Sequence, residues 1–303
     1  MNQNYYVGID IGGTKTAIAL YDETFSPVAE RTMATDCQNG CRALVEQIYR
    51  LYGEMLREAA VSENEVQSIG VCSPGPLDLE KGSIVFIPTM GFRNEPIRAY
   101  FEEIFHKPIA LQNDANAAAL GEAVFGEGRG KQSVVYITVS TGIGCGIVLD
   151  GRIYDGRFFA AGELGHMKVK RGGRPCVCGG KGCLEAYASG TAIAAISGEL
   201  TGQPCHAKEV FAGARRGEEP YRSVVVRAGD YLGFALGAVY QILDPDVVIL
   251  GGSVTKDWDV WEPILKESLD RYCEAVEGRS PVILRSKLDG KQGILGAAWL
   301  GKQ

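Results

Sequence analysis

The 303-residue chain is poor in histidine and tryptophan, with three of each, and has no run of basic residues. Its formal net charge of −6 argues against a general nucleic-acid surface. Long hydrophobic runs are also missing. The longest, residues 231–243, is broken by Gln241 and falls short of the ~20 residues that span a bilayer. Gly229, Gly233 and Gly237 resemble a membrane small-residue motif, but Arg227 and Asp230 beside them favour a soluble helix packed closely on a sheet. The opening MNQNYYVGIDIGG lacks a basic segment followed by an apolar core, so no secretory leader is expected. The nine cysteines are odd in number, three close together and the rest scattered, which suits a reducing cytoplasm and not a disulfide framework.

What is present is 46% hydrophobic and 22% charged, the balance of a globular enzyme, with length enough for two domains. The stretch GELGHMKVKRGGRPCVCGGKGCLE (162–185) holds Cys176, Cys178 and Cys183 within eight positions, ten residues after His166. One imidazole and three thiolates form a closed tetrahedral set, which a structural zinc requires. No position is left open for a water, so a catalytic zinc is not expected. Glu163 and Glu185 flank this knot. Two readings stand for them: acceptors for a pair of sugar hydroxyls, or surface acids on a zinc loop. His166 could offer a ligand the ring nitrogen that does not face the metal.

The spacing predicts strands at 5–12, 16–21 and 27–33, then a helix with Cys41, Leu44, Val45, Ile48, Leu51, Tyr52, Met55 and Leu56 on one face. A strand at 67–72, a Pro-Gly-Pro turn at 74–76, a helix near 96–106, a strand at 109–112 and a helix from about 115 follow. Residues 133–151 then repeat the opening hairpin. A helix near 221–243, a strand at 247–252, a helix aligning Trp261, Leu265, Leu269 and Tyr272, a strand at 281–285 and a terminal helix complete the chain. Such duplicated αβ units predict two closely apposed domains with a cleft between them.

Chemistry-bearing residues sit at strand ends. In Asp10-Ile11-Gly12-Gly13-Thr14-Lys15 the glycines admit backbone N–H groups to a phosphate, Thr14 adds a hydroxyl, and Asp10 can hold Mg²⁺ through water. Lys15 reads either as a phosphate contact or as a side chain pointing to solvent. Ser140-Thr141-Gly142-Ile143-Gly144-Cys145-Gly146 repeats that turn, and Gly251-Gly252 after an apolar strand can lie against a base or ribose. One such turn is explained by an ordinary hairpin, but three at strand ends are not. Asp114, after the strand 109–112, reads as a helix cap, as a general base, or as both. Asn113 can both donate to and accept from a sugar hydroxyl.

Together, D-I-G-G-T-K (10–15), P-G-P (74–76), N-D-A-N-A-A-A (113–119), S-T-G-I-G-C-G (140–146), G-E-L-G-H (162–166), C-V-C-G-G-K-G-C-L-E (176–185) and D-P-D-V-V-I-L-G-G (244–252) resemble the sugar kinases of the ROK (repressor, open reading frame, kinase) family, within the actin-like ATPase superfamily. The resemblance spans essentially the whole chain. It implies two ribonuclease-H-like α/β domains, a smaller one over 1–115 joined by the terminal helix 290–303, and a larger one over 116–289 carrying the zinc loop. It implies ATP-dependent phosphorylation of a hexose at the 6-hydroxyl, glucose first, with N-acetylmannosamine or another amino sugar, or fructose, as alternatives.

By the same resemblance Asp114 is the catalytic base, and Gly75, Asn113, Glu163, His166 and Glu185 bind the sugar. Thr14 and Thr141 with their glycines bind the phosphates, and Gly251-Gly252 the nucleoside. His166, Cys176, Cys178 and Cys183 hold zinc. Ser253 stands where a third glycine is common. The stretch IPTMGFRN (87–94) is expected to line the sugar's far side. A homodimer is implied, with no nucleic-acid or membrane partner. The family's other branch, sugar-sensing repressors, carries a helix-turn-helix ahead of the kinase-like region, and the first phosphate strand here starts at Tyr5.

Overall fold

The computed structural model describes residues 4–273 and 280–303. The chain runs β1 (Tyr5–Ile11), β2 (Lys15–Tyr21), β3 (Pro27–Ala34), α1 (Gly40–Glu58), β4 (Val66–Ser73), β5 (Leu77–Asp78), β6 (Ser83–Ile87), β7 (Phe92–Glu95), α2 (Ile97–Phe105), β8 (Ile109–Asn113) and α3 (Asp114–Phe125). It continues with β9 (Ser133–Val139), β10 (Ile143–Leu149), β11 (Arg152–Ile153), α4 (Glu185–Ala188), α5 (Gly190–Thr201), α6 (Ala207–Arg215), α7 (Tyr221–Leu243), β12 (Val247–Gly251), α8 (Trp258–Tyr272), β13 (Ile283–Arg285) and α9 (Gln292–Lys302). Packing divides it into two units: Met1–Gly130 with Gly146–Ala161 and Leu288–Gln303, and Lys131–Cys145 with Gly162–Lys287.

In the first unit a five-stranded sheet has the order β3-β2-β1-β4-β8. β1 pairs antiparallel with β2 and parallel with β4, and β4 runs parallel to β8. The register aligns Asp10 with Cys72 and Cys72 with Gln112, and then Ser73 with Asn113. Asp10, the turn after Ser73 and Asn113-Asp114 therefore leave the sheet along one edge, at the carboxyl ends of parallel strands, where α/β proteins place ligands. Along α1, Cys41, Leu44, Val45, Ile48, Tyr52, Met55 and Leu56 are buried at helical spacing and join one core with Val7, Ile9, Val71, Phe101 and Phe105. Leu51 is only partly buried against that core.

α9 lies against β1, β4 and α3. A Cβ on Gly8 would strike the Ile294 carbonyl, and one on Gly70 the Ala297 carbonyl. Glycine in these strands is what lets the helix backbone come so close. α3 also packs on α9 and lies wholly in the first unit, so a boundary at 115/116 would cut this helix in its first turn.

The second sheet has the order β11-β10-β9-β12-β13, and β12 runs parallel to both β9 and β13. The glycine stripe on α7 does not face a sheet, as the spacing suggested. Cβ atoms on Gly229, Gly233 and Gly237 would meet Ile264, Ser268 and Tyr272 of α8. The small residues serve a close helix–helix contact, which works in water as it does in lipid. Among the described residues no helix is long and apolar enough to cross a membrane. The small sheet β5-β6-β7 and the helices α5 and α6 were not anticipated from the sequence.

Candidate active site

In the first unit, the β1–β2 turn closes on its own backbone, with Gly12 N–H donating to Lys15 O at 2.9 Å. The Thr35 hydroxyl donates to Gly12 O at 2.8 Å, and Thr35 N–H to Thr14 O at 3.0 Å. Gly13, Thr14 and Lys15 are exposed. A turn whose backbone oxygens are tied inward leaves its tip for an anion. At the end of β1, burial raises the Asp10 carboxyl above its ordinary range, opposed by a hydrogen bond from the Cys72 thiol at 3.5 Å. A neighbouring cation would reverse that penalty, which suits Asp10 to a magnesium–phosphate ligand.

At the end of β8, Asn113 and not Asp114 caps α3. Its Oδ1 accepts N–H groups from Ala115 at 2.9 Å and Asn116 at 3.3 Å. Asp114, exposed in the first turn, accepts from Ala115 N–H at 2.8 Å. The division follows from backbone angles: Asn113 is extended at φ −66°, ψ 145°, the conformation of a cap, whereas Asp114 is already helical. With its oxygen engaged, Asn113 has its Nδ2 amide for a ligand. A Cβ on Gly75 would lie 3.2 Å from that Nδ2, so the Pro74-Gly75-Pro76 turn passes directly over Asn113.

In the second unit, the β9–β10 turn is held from outside. Ile143 N–H donates to Glu185 Oε2 at 3.0 Å, and a Cβ on Gly142 would sit 2.6 Å from the same oxygen. Gly190 N–H donates to Ser140 O at 2.7 Å, and the Ser140 and Ser253 hydroxyls pair at 3.0 Å. Thr141 is exposed at the tip. Register sets Gly251 against Thr138, and Gly252, at φ +95°, packs against the backbone of Val139. Thr141-Gly142 and Gly251-Gly252 thus leave the second sheet side by side. Ser253, the departure from the family pattern, is what joins the two turns.

The cysteine knot passes a test for zinc. One ligand atom each from His166, Cys176, Cys178 and Cys183 all lie within 4.8 Å of one another. Cys178 and Cys183 sulfurs are 3.6 Å apart, and Cys176 Sγ is 3.7 Å from His166 Nδ1. Zn–S bonds of ~2.3 Å and a Zn–N bond of ~2.0 Å at tetrahedral angles require edges of about 3.5–3.8 Å. The sulfur separation is far too long for a disulfide. With Nδ1 on the sulfur side, His166 Nε2 is 4.0 Å from Glu163 Oε2. Glu185 Oε1 is 3.9 Å from Cys176 Sγ. Lys168 Nζ, 2.7 Å from Cys183 Sγ, sets a positive charge beside the thiolate set.

Every expected site residue therefore falls into one of two groups. Asp10, Gly12, Gly13, Thr14, Lys15, Gly75, Asn113 and Asp114 lie along the edge of the first sheet. Thr141 and Gly142 lie against Glu185 of the knot that also carries Glu163 and His166, and Gly251-Gly252 lie beside β9. What the sequence reading missed are partners from distant parts of the chain: Thr35, which ties the first turn, and Asp155, which receives the Gln112 and Asn116 amides. No local spacing marks them.

Two five-stranded mixed sheets, each bearing a glycine hairpin, make this an α/β protein of the actin-like ATPase fold. A ROK hexokinase from Thermus thermophilus superposes with a TM-score of 0.86 at 36% identity, covering 98% of each chain. A ROK glucokinase from Streptomyces griseus, crystallised with glucose and AMPPNP, superposes at 0.82 with 30% identity over 99% of this chain and 100% of its own. The glucokinase of Halalkalibacterium halodurans is 33% identical over 318 residues, spanning 100% of this chain and 96% of that protein. The chain belongs to the ROK family, whose model matches residues 6–303.

Proposed function

We propose that this protein transfers the γ-phosphoryl group of ATP to the 6-hydroxyl of a hexose, with glucose as the first candidate. The observation that carries the reading is the exposed Asp114 carboxylate at the first turn of α3, directly after Asn113, whose register partner Ser73 leads into the Gly75 turn, in a chain matched end to end by glucokinases. Asp114 takes the proton of the 6-hydroxyl as that oxygen attacks the γ-phosphorus. Asn113 Nδ2, the Gly75 turn, Glu163, His166 Nε2 and Glu185 orient the sugar. Backbone N–H groups of Gly13 and Gly142, with Gly12 shaping the first turn and the Thr14 and Thr141 hydroxyls beside them, cradle the phosphates, and Lys15 adds charge. Gly251-Gly252 lie against the nucleoside. Asp10 is the group that would hold Mg²⁺, which neutralises charge on the phosphates.

His166 Nδ1, Cys176, Cys178 and Cys183 would hold zinc, which supplies a rigid cross-link and no open coordination position. The chain's own residues then set the ring of His166 and keep Glu185 against the Ile143 amide. A cytoplasmic homodimer without nucleic-acid or membrane partners completes the reading, and light scattering tests the dimer.

The test is Asp114→Asn. Turnover should fall by roughly 10²-fold or more while sugar binding survives. Near-parent turnover removes Asp114 from the mechanism. A panel of glucose, N-acetylmannosamine, other amino sugars and fructose, assayed with ATP, identifies the acceptor. Transfer to none of them would favour a non-catalytic sugar sensor.

A further inference from the structure

Gln112 and Asn116 flank the Asn113-Asp114 pair and are buried at 4% and 3% exposure. Both send their side-chain N–H groups to one oxygen. Gln112 Nε2 and Asn116 Nδ2 each donate to Asp155 Oδ1 at 3.0 Å. The Gln112 Oε1 accepts the backbone N–H of Asn113 at 2.7 Å and lies 3.4 Å from Asn116 Nδ2. Asp155 follows β11, 43 and 39 residues away from its two donors. Its loop is closed by Ala161 N–H donating to Asp155 O at 3.1 Å. The carboxylate is half-buried, and burial raises its pKa while the two amides oppose the rise.

We propose that Asp155 is a positioning residue for Asp114: its Oδ1 anchors Gln112 and Asn116, and through them the strand end and first helical turn that carry the base. The inference rests on the kinase reading of Asp114. The chemistry is economical. An ionised carboxylate accepts several hydrogen bonds and donates none, so one oxygen orients both amides. That orientation turns Gln112 Oε1 toward the Asn113 N–H and leaves Asn113 Oδ1 to cap α3. Neither face of the Asn113-Asp114 peptide is then free to shift. A displacement of the base by ~1 Å can cost ~10²-fold in rate. Asp155 does not touch the glycine turns, so nucleotide affinity should be insensitive to it.

The experiment compares the parent with Asp155→Ala, Asp155→Asn and Asp114→Asn in full-length, zinc-loaded protein. The readouts are kcat, KM for ATP and for the sugar, and a titration of sugar-binding sites per chain. Asp155→Ala should lower kcat about tenfold or more, by a larger factor than the sugar KM rises, with KM for ATP within about twofold and one sugar site per chain retained. Asp155→Asn, whose carbonyl oxygen can accept both N–H groups, should restore most of the loss. The inference is overturned by an alanine variant within about twofold of parent, by a fall in kcat matched by lost sugar sites, or by an asparagine variant no better than alanine. Should the alanine variant fail to fold, Asp155→Ser is judged by the same criteria. Parent-like turnover in Asp114→Asn would sink the base assignment instead. An inactive Asp114→Asn beside a normal Asp155→Ala would sink this inference alone.

Discussion

The two glycine hairpins make an instructive pair. The β1–β2 and β9–β10 turns are chemically alike, each setting glycine beside an exposed threonine at the end of its own sheet. Their support differs. The first is closed by its own backbone and by Thr35 from the residue following β3. The second hangs on Glu185, an acid that belongs to the cysteine knot and, by the proposed reading, to the sugar site. By that reading the second turn is tied to the sugar site and the first is not. The first turn should therefore answer only to nucleotide, and the second to both substrates.

That contrast can be broken most directly with Gly142→Ala against Gly13→Ala. A Cβ on Gly142 lies 2.6 Å from Glu185 Oε2, whereas one on Gly13 meets nothing within 4 Å. Calorimetry of sugar binding without nucleotide should show about tenfold weaker affinity for Gly142→Ala and almost no change for Gly13→Ala; equal affinities would dissolve the comparison. Next in size is metal removal. Stripping zinc with a chelator should raise KM for both sugar and ATP severalfold, because Glu185 loses its scaffold, and zinc should restore both. An ATP KM that ignores the metal would uncouple the second hairpin from the knot.

The first hairpin should respond in stability instead. Thr35→Ala removes bonds to Gly12 O and Thr16 Oγ1 and should cost about 1 kcal/mol in denaturant unfolding, with sugar affinity unchanged. The smallest effect concerns the start of the second sheet. Asp246 Oδ2 accepts the N–H groups of Gln132 at 2.8 Å and Ser133 at 3.0 Å, and the Ser133 bond leads in holding its carboxyl below the ordinary range. A depressed folded pKa contributes stability above the unfolded value of ~3.9 and loses it as pH falls through the folded one. Asp246→Ala should therefore lower Tm slightly at pH 7, and the gap from parent should close below about pH 4.

Much of this was legible beforehand, for a physical reason that particular residues show. The α1 face could be read because seven buried side chains recur at helical spacing, and the clustering of one histidine and three cysteines because all four fall within 18 positions, His166 to Cys183. The β5-β6-β7 sheet was not legible, since strands of two to five residues carry too little periodicity. Asp155 gave no signal either, because its partners lie about 40 residues away and any acid on a loop looks alike in sequence.

By itself the amino-acid order determined which elements form, where the backbone can turn at glycine, and which four side chains can surround a zinc, all matters of neighbours within a few turns of chain. Only the folded arrangement decided that Asn113 caps α3 while Asp114 stands exposed, that Glu185 holds the β9–β10 turn, and that the α7 glycines meet α8. Those outcomes depend on which distant surfaces close on one another, and closure is settled by packing and by satisfying buried polar groups across the whole unit.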